Sequence, residues 1–245
     1  MEGQSFEKQY EIPKSETGPK FDIESVLERG EIETVERLKG HSFIKVVRIK
    51  DDGEGLFKPG ERIETTMHGE IDENRAALEF LAYTVDKILE FGLVPTTVQR
   101  EIQAQKGALQ TFVSTAVPAT KLKNWSERVD LANLKQAAVF DYLINAQDRT
   151  TNNFLIDDVT GKIWLIDHDY YMFFEDYKFS SRIVNEARRK KLAALSSEIL
   201  TAVTRLTESV DALIVEADEG YLKQILEGIK KRAKILLKTE EIPMA

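Results

Sequence analysis

The protein has 245 residues, with 34 basic and 42 acidic side chains and therefore a formal net charge of -8. This balance argues against nucleic-acid binding as the main function, and the absence of cysteine excludes a disulfide framework, a thiolate metal site and a cysteine nucleophile. The sequence contains no apolar run long enough to cross a bilayer and its N-terminus lacks the apolar segment of a signal peptide, so we expect a soluble, cytoplasmic protein.

The first part of the chain predicts a polar arm followed by a short helix and three strands. Residues 1–20 are polar and are expected to form a flexible arm. A short helical segment then ends at Gly30. The apolar and β-branched residues of "IETVERL", "FIKVVRIK" and "GLFKPG" predict strands, with turn residues between them.

The pattern changes to a helical period between Asp72 and Phe91, where apolar side chains recur three or four residues apart. Gly92 and Pro95 are expected to end this helix. "TTVQREI" and "LQTFVS" then predict two further strands, joined by a turn at Lys106–Gly107. The predicted order is therefore three strands, one helix and two strands.

The remainder of the chain predicts mainly helices. A helix ending near Asn145 carries an apolar stripe at Leu131, Leu134, Ala138, Tyr142 and Leu143. "FLIDDVTGKIWLID" predicts a hairpin that turns at Thr160 and Gly161. Three more helices are expected between Ser181 and Lys238.

Polar side chains lie unusually close to the most apolar of these segments. Asp148 and Asn153 precede the hairpin, and Asp167 follows it directly. Phosphoryl transfer needs a lysine on the phosphates, an acid that orients the lysine, oxygen ligands for Mg²⁺ and a carboxylate near the attacking hydroxyl. The chain offers one candidate for each part in the expected order. Capped turns and Asx-turns are the structural alternative for Asp148 and Asn153.

The segments "DRTTNN" and "WLIDHD" resemble the D-R-x-x-x-N and I-D-x-G motifs of phosphatidylinositol 3/4-kinases and the actin-fragmin kinase. The chain is more similar still to small bacterial PI3/4-kinase-like proteins, over roughly Asp22 to Pro243. Segments that carry this resemblance include "GLFKPGE", "ALEFLAY", "FDYLINAQDR" and "IWLIDHD". The resemblance implies an α+β, two-lobed, atypical protein-kinase-like fold, with an N-terminal antiparallel sheet plus one helix and a mainly helical C-terminal lobe.

The resemblance also implies a division of the chain and a set of ligands. Residues 21–115 would form the ATP-binding N-lobe, and residues 116–245 the C-lobe with the catalytic loop and the metal-binding hairpin. The implied cofactors are ATP and Mg²⁺ or Mn²⁺. The reaction would transfer the γ-phosphoryl group to a hydroxyl of a protein, lipid or small molecule, with a lipid the least favoured acceptor.

Carried over by position, the resemblance implies three catalytic residues, which are Lys58 on the phosphates, Glu79 as its ion-pair partner and Asp148 in the catalytic loop. Asn153 and Asp167 would be the metal ligands. The nucleotide itself would be covered and held by two short segments, consisting of Gly40, His41 and Ser42 over the phosphates and Phe112, Val113 and Ser114 at the adenine.

Two positions depart from the family pattern and keep other functions open. Thr150 stands where a histidine is frequent, and Asp169 where a glycine is common, which adds a carboxylate near the metal. A nucleotide-binding pseudokinase that acts as a regulatory or interaction module is therefore the alternative, and a nucleotidyl transferase on the same fold is a third possibility. His168 is expected to be a hydrogen-bonding residue of the loop rather than a ligand of an HD-type phosphohydrolase.

Overall fold

The computed structural model describes residues 22–38, 44–50, 53–60, 75–147, 149–168, 180–216 and 221–243. The N-terminal lobe is a five-stranded antiparallel sheet with strand order β1-β2-β3-β5-β4. Its elements along the chain are α1 (Ile23–Arg29), β1 (Ile32–Arg37), β2 (Lys45–Ile49), β3 (Gly53–Pro59), α2 (Arg75–Leu89), β4 (Thr97–Ile102) and β5 (Gln105–Thr111). The predicted order of strands and helix is confirmed.

The turn between β4 and β5 lies at Gln103 and Ala104, so the predicted turn at Lys106 and Gly107 is wrong. Both turn residues have positive φ, 53° and 59°, as the tightest hairpins require. Gly107 instead lies within β5, where a Cβ atom would stand 2.5 Å from the carbonyl oxygen of Lys58 and 2.6 Å from the Phe57 ring. This glycine permits close approach of β3 and β5, rather than a turn.

The C-terminal lobe contains a small second sheet and four helices among the described residues. Its elements are β6 (Val117–Pro118), α3 (Leu131–Leu143), β7 (Phe154–Ile156), β8 (Ile163–Leu165), α4 (Arg182–Arg189), α5 (Ser197–Glu216) and α6 (Tyr221–Thr239). The predicted hairpin and the three last helices are confirmed. Strand β6, which pairs with β7, was not predicted. Within the α3 stripe, Leu131 lies at the first turn and is half exposed, whereas Leu134, Ala138 and Leu143 are buried.

The buried apolar side chains form two clusters, and α2 belongs to the larger one. The smaller cluster joins α1 to the sheet and consists of Leu27, Val47, Ile49, Phe57, Val98, Ile102 and Leu109. The larger cluster contains the buried apolar side chains of the C-terminal lobe together with the α2 residues Leu78, Leu81, Ala82, Val85 and Leu89. Helix α2 therefore packs into the core of the helical lobe as well as against the sheet.

The chain leaves α2 by a fixed path. The helix ends at Leu89, and positive φ values at Glu90 and Gly92 turn the chain away from the helix axis. The Asp86 carboxylate accepts the backbone N–H groups of Leu93 and Val94 at 2.8 and 2.9 Å, which holds the α2–β4 connection. None of the described helices has the length and apolar character needed to cross a bilayer.

Candidate active site

Lys58 joins three segments at one ammonium group. Strand β3 has a partner on each side, so Lys58 does not lie on an edge strand. Its neighbour Phe57 is buried in the small core, and alternation along the strand directs Lys58 to the opposite face, toward α2. The Lys58 Nζ donates to Glu79 Oε1 on α2 and, at 3.3 Å, to Asp167 Oδ1 after β8. Sequence positions 58, 79 and 167 are thereby brought together.

Glu79 is almost fully buried and ionised. Its side chain is only 1% exposed, and burial alone would raise the pKa of this carboxyl. The Lys58 ammonium and a hydrogen bond from His168 outweigh burial and hold the pKa of Glu79 well below its usual range. A charged carboxylate is therefore fixed beside the lysine at neutral pH.

Asn153 and Asp167 lie on two adjacent segments. The backbone N–H of Ile166 donates to the carbonyl oxygen of Asn153 at 3.2 Å. Asp167 adopts the left-handed conformation, with φ 62°, and its side chain is 47% exposed. No cluster of three or more His, Cys, Asp or Glu side chains that could hold a metal ion occurs within the described part of the chain. An ion here would take other oxygen ligands besides Asp167.

Several predicted site residues lie outside the described residues, namely Gly40, His41, Ser42, Asp148 and Asp169. Phe112, Val113 and Ser114 directly follow β5, in the connection between the lobes. The backbone N–H of Phe112 donates to the carbonyl oxygen of Glu54 at 2.9 Å. A contact of this segment with adenine stays a prediction, and it would have to use groups other than that N–H.

The sequence matches the family model described as phosphatidylinositol 3- and 4-kinase over residues 41–223. This range includes β2 to β8, α2 to α5 and the candidate site. The chain belongs to the phosphatidylinositol 3- and 4-kinase family. The predicted family relationship is thus confirmed.

A solved kinase structure has the same fold as this phosphatidylinositol 3- and 4-kinase family member. The crystal structure of the Golgi casein kinase matches with a TM-score of 0.58 and 14% identity, over 89% of this chain and 74% of that chain. The crystal structure of the Helicobacter pylori proinflammatory kinase CtkA matches with a TM-score of 0.46 and 11% identity, over 88% and 94% of the two chains. No curated protein matches the sequence.

A buried arginine connects the two loops of the site, and sequence reasoning did not single it out. Arg149 is 3% exposed, and one of its terminal nitrogens donates to the carbonyl oxygens of Asn153 at 2.7 Å and Ile166 at 2.8 Å. Its Nε donates to Asp141 of α3 at 2.9 Å, and the second Asp141 oxygen accepts from the Ser181 hydroxyl at 2.6 Å. The sequence signals were the arginine of "DRTTNN", to which no role was assigned, and an aspartate inside the otherwise apolar run "AAVFDYLI".

A separate cavity of about 420 Å³ lies beside the connection between the lobes, next to the C-terminal end of α2. Its lining includes Asp86 of α2, Val113, and Lys162 and Trp164 of the hairpin, but none of the described residues of β1 to β3. Burial raises the pKa of Asp86 to about 6, and the Lys162 ammonium lies 3.6 Å from the centre of the Trp164 ring. The lining of this cavity does not include Lys58, Glu79 or Asp167, although it shares Val113 with the segment predicted to contact adenine.

Proposed function

We propose that this family member is an atypical kinase that binds ATP between its lobes and transfers the γ-phosphoryl group to a hydroxyl acceptor. The observation that carries the proposal is the ammonium of Lys58 held between the carboxylates of Glu79 and Asp167. A lysine paired to a buried acid on the helix, beside a second acid at a strand end, is the arrangement that phosphoryl transfer uses to hold phosphates and metal.

Lys58 would bind the phosphates, and Glu79 would hold the ammonium of Lys58 in position. Glu79 is buried and ionised, so it fixes the position of the ammonium and is itself shielded from solvent. Asp167 is half exposed and can exchange its contact with Lys58 for a divalent ion, because Glu79 keeps the ammonium in place. The lysine charge is then available to oxygens of the triphosphate.

The donor set fits Mg²⁺ or Mn²⁺. Asn153 and Asp167 supply hard oxygen donors from adjacent segments that Arg149 holds through two backbone carbonyls. Mg²⁺ is usually bound by one or two carboxylates with waters and substrate phosphates, so Asp167 with Asn153 would be a sufficient contribution from the protein. When bound, the ion would neutralise charge on the phosphates.

Asp148 would act on the acceptor. It immediately precedes the buried Arg149, whose contacts with Asp141 and two carbonyls fix the loop that follows. In the proposed step the acceptor oxygen forms a bond to the γ-phosphorus, the bond to the β,γ-bridging oxygen breaks, and ADP leaves. The proton of the acceptor hydroxyl passes to the Asp148 carboxylate.

Transfer of radioactive label tests the function. The protein would be incubated with Mg²⁺ and either γ-labelled or α-labelled ATP, alone and with a cleared lysate that is afterwards separated into protein, small-molecule and lipid fractions. Label from the γ position should appear in the protein itself or in one fraction, and should be absent with Asp167→Asn. Transfer of α label would indicate a nucleotidyl transferase, and binding without any transfer would indicate a pseudokinase.

A further inference from the structure

We propose that His168 is a positioning residue for phosphoryl transfer, because it ties the loop of Asp167 to α2 through both oxygens of Glu79. This inference rests on the proposed function and adds to it a residue that carries no phosphate or metal itself. It assigns to His168 the task of keeping the Lys58–Glu79 pair and the metal-binding loop in one arrangement.

Two contacts from His168 reach the same carboxylate. The backbone N–H of His168 donates to Glu79 Oε1 at 3.1 Å, and this oxygen also accepts from Lys58. The ring Nδ1 lies 3.4 Å from Glu79 Oε2. An ionised carboxylate only accepts hydrogen bonds, so Nδ1 is the donor in this contact.

The surroundings of the ring fix it in this orientation. His168 and Glu79 are each 1% exposed, and the ring of Phe140 meets the imidazole edge-on, with 5.9 Å between centroids. Within the described part of the chain, Nε2 has no hydrogen-bond partner. The imidazole is thus enclosed between Glu79 and Phe140, which fixes the direction of Nδ1.

The consequence for the site follows from chain connectivity. His168 is bonded directly to Asp167, whose left-handed backbone gives the loop a single sharp bend. A contact that fixes His168 therefore also limits the direction in which the Asp167 carboxylate can point. Without the ring contact, the backbone N–H of His168 and the Lys58 bridge would be left to connect this bend to α2.

Three substitutions separate positioning from simple packing. Asparagine places an amide nitrogen where Nδ1 stands, glutamine places one near Nε2, and leucine offers none. We expect His168→Leu and His168→Gln to lower kcat by about tenfold or more and to raise the Mg²⁺ concentration for half-maximal activity, as lost metal-site support does. His168→Asn should stay within about threefold of the wild type, although its Tm falls similarly because the Phe140 contact is lost.

The inference would be overturned if the activities of the three variants followed their Tm values alone, so that His168→Asn was as impaired as the other two. A second readout needs no activity. ¹⁵N–¹H spectra of the wild type should show one histidine as the neutral Nδ1–H tautomer, and this signal should vanish in His168→Asn. An Nε2–H tautomer at His168 would also overturn the inference. If the wild type transferred no phosphoryl group, the proposed function would fail. The tautomer of His168 would still show whether its Nδ1 donates to Glu79.

Discussion

The guanidinium of Arg205 on α5 donates to the carbonyl oxygen of Ile88 at 2.6 Å and to that of Leu89 at 3.1 Å. These carbonyls belong to the last turn of α2, where a helix leaves its acceptors without partners of its own. Arg205 also forms an ion pair with Glu90 at 3.1 Å. The C-terminal end of α2 is therefore capped by a residue of the helical lobe.

Loss of this cap should destabilise the protein. We expect Arg205→Met to lower the free energy of unfolding by about 1.5 kcal/mol, because two acceptors of α2 lose a charged donor. Urea denaturation measures the change. Arg29→Met is the matched control, since the side chain of Arg29 is 84% exposed and its ion pair with Glu28 spans 3.9 Å; it should change stability by less than about 0.5 kcal/mol. Equal effects of the two substitutions would contradict a capping role.

The Lys58–Glu79 pair should be separable into catalytic and structural parts. Lys58→Met leaves Glu79 as a buried carboxylate without its main counter-charge, so we expect both loss of turnover and a loss of about 3 kcal/mol in stability. The double variant Lys58→Met with Glu79→Gln should recover much of the stability but none of the turnover. Chemical denaturation and label transfer on the same samples test this. Wild-type turnover in Lys58→Met would move the phosphate-binding role to another lysine.

The two aspartates of the site should have different effects on ATP binding. We expect Asp167→Asn to weaken the metal-dependent part of ATP affinity together with turnover, because a carboxylate ligand of the ion is lost. Asp148→Asn should leave ATP affinity nearly unchanged and lower turnover by about a hundredfold or more. Calorimetric titration with ATP and Mg²⁺, repeated in excess EDTA, measures the first quantity. Loss of ATP binding in Asp148→Asn alone would mean that the two roles are reversed.

Asp86 should give the stability a specific pH dependence. Burial raises its pKa from 3.8 to about 6, so the folded state binds this proton more tightly than the unfolded state does. The stability contributed by protonation is fully present below pH 3.8 and is lost as the pH rises through about 6. Relative to Asp86→Asn, the free energy of unfolding of the wild type should fall by on the order of 3 kcal/mol between about pH 4 and pH 7. Denaturation across this range checks it; parallel profiles of the two proteins would contradict it.

The regular elements could be predicted because their signals are local. The change from an alternating to a helical period separated the strands from α2, and the hairpin was defined by turn residues at Thr160 and Gly161. The turn between β4 and β5 was predicted at the wrong residues because Gly107 carries the strongest turn signal. Strand pairing instead imposes positive φ on Gln103 and Ala104. Strand β6 is too short for any periodicity.

The site could be predicted only in its residue types. Lysine, glutamate and aspartate in a known order indicated which groups meet, and the structure brings Lys58, Glu79 and Asp167 together. The supporting contacts are not visible in a sequence, since His168 lies 89 positions from Glu79. The partners of Arg149 are equally hidden, because two of them are backbone carbonyls, which every residue has.

The separation of the buried side chains into two clusters has a consequence for deuterium uptake. The sheet rests on a cluster of seven buried residues among those described, whereas α2 belongs to the much larger cluster of the helical lobe. Elements that share a core open together, so the amides of the five-stranded sheet should exchange first as one cooperative unit. The amides of α2 should exchange with those of α3 and α5, in a later and slower event, although α2 lies between β3 and β4 in the sequence.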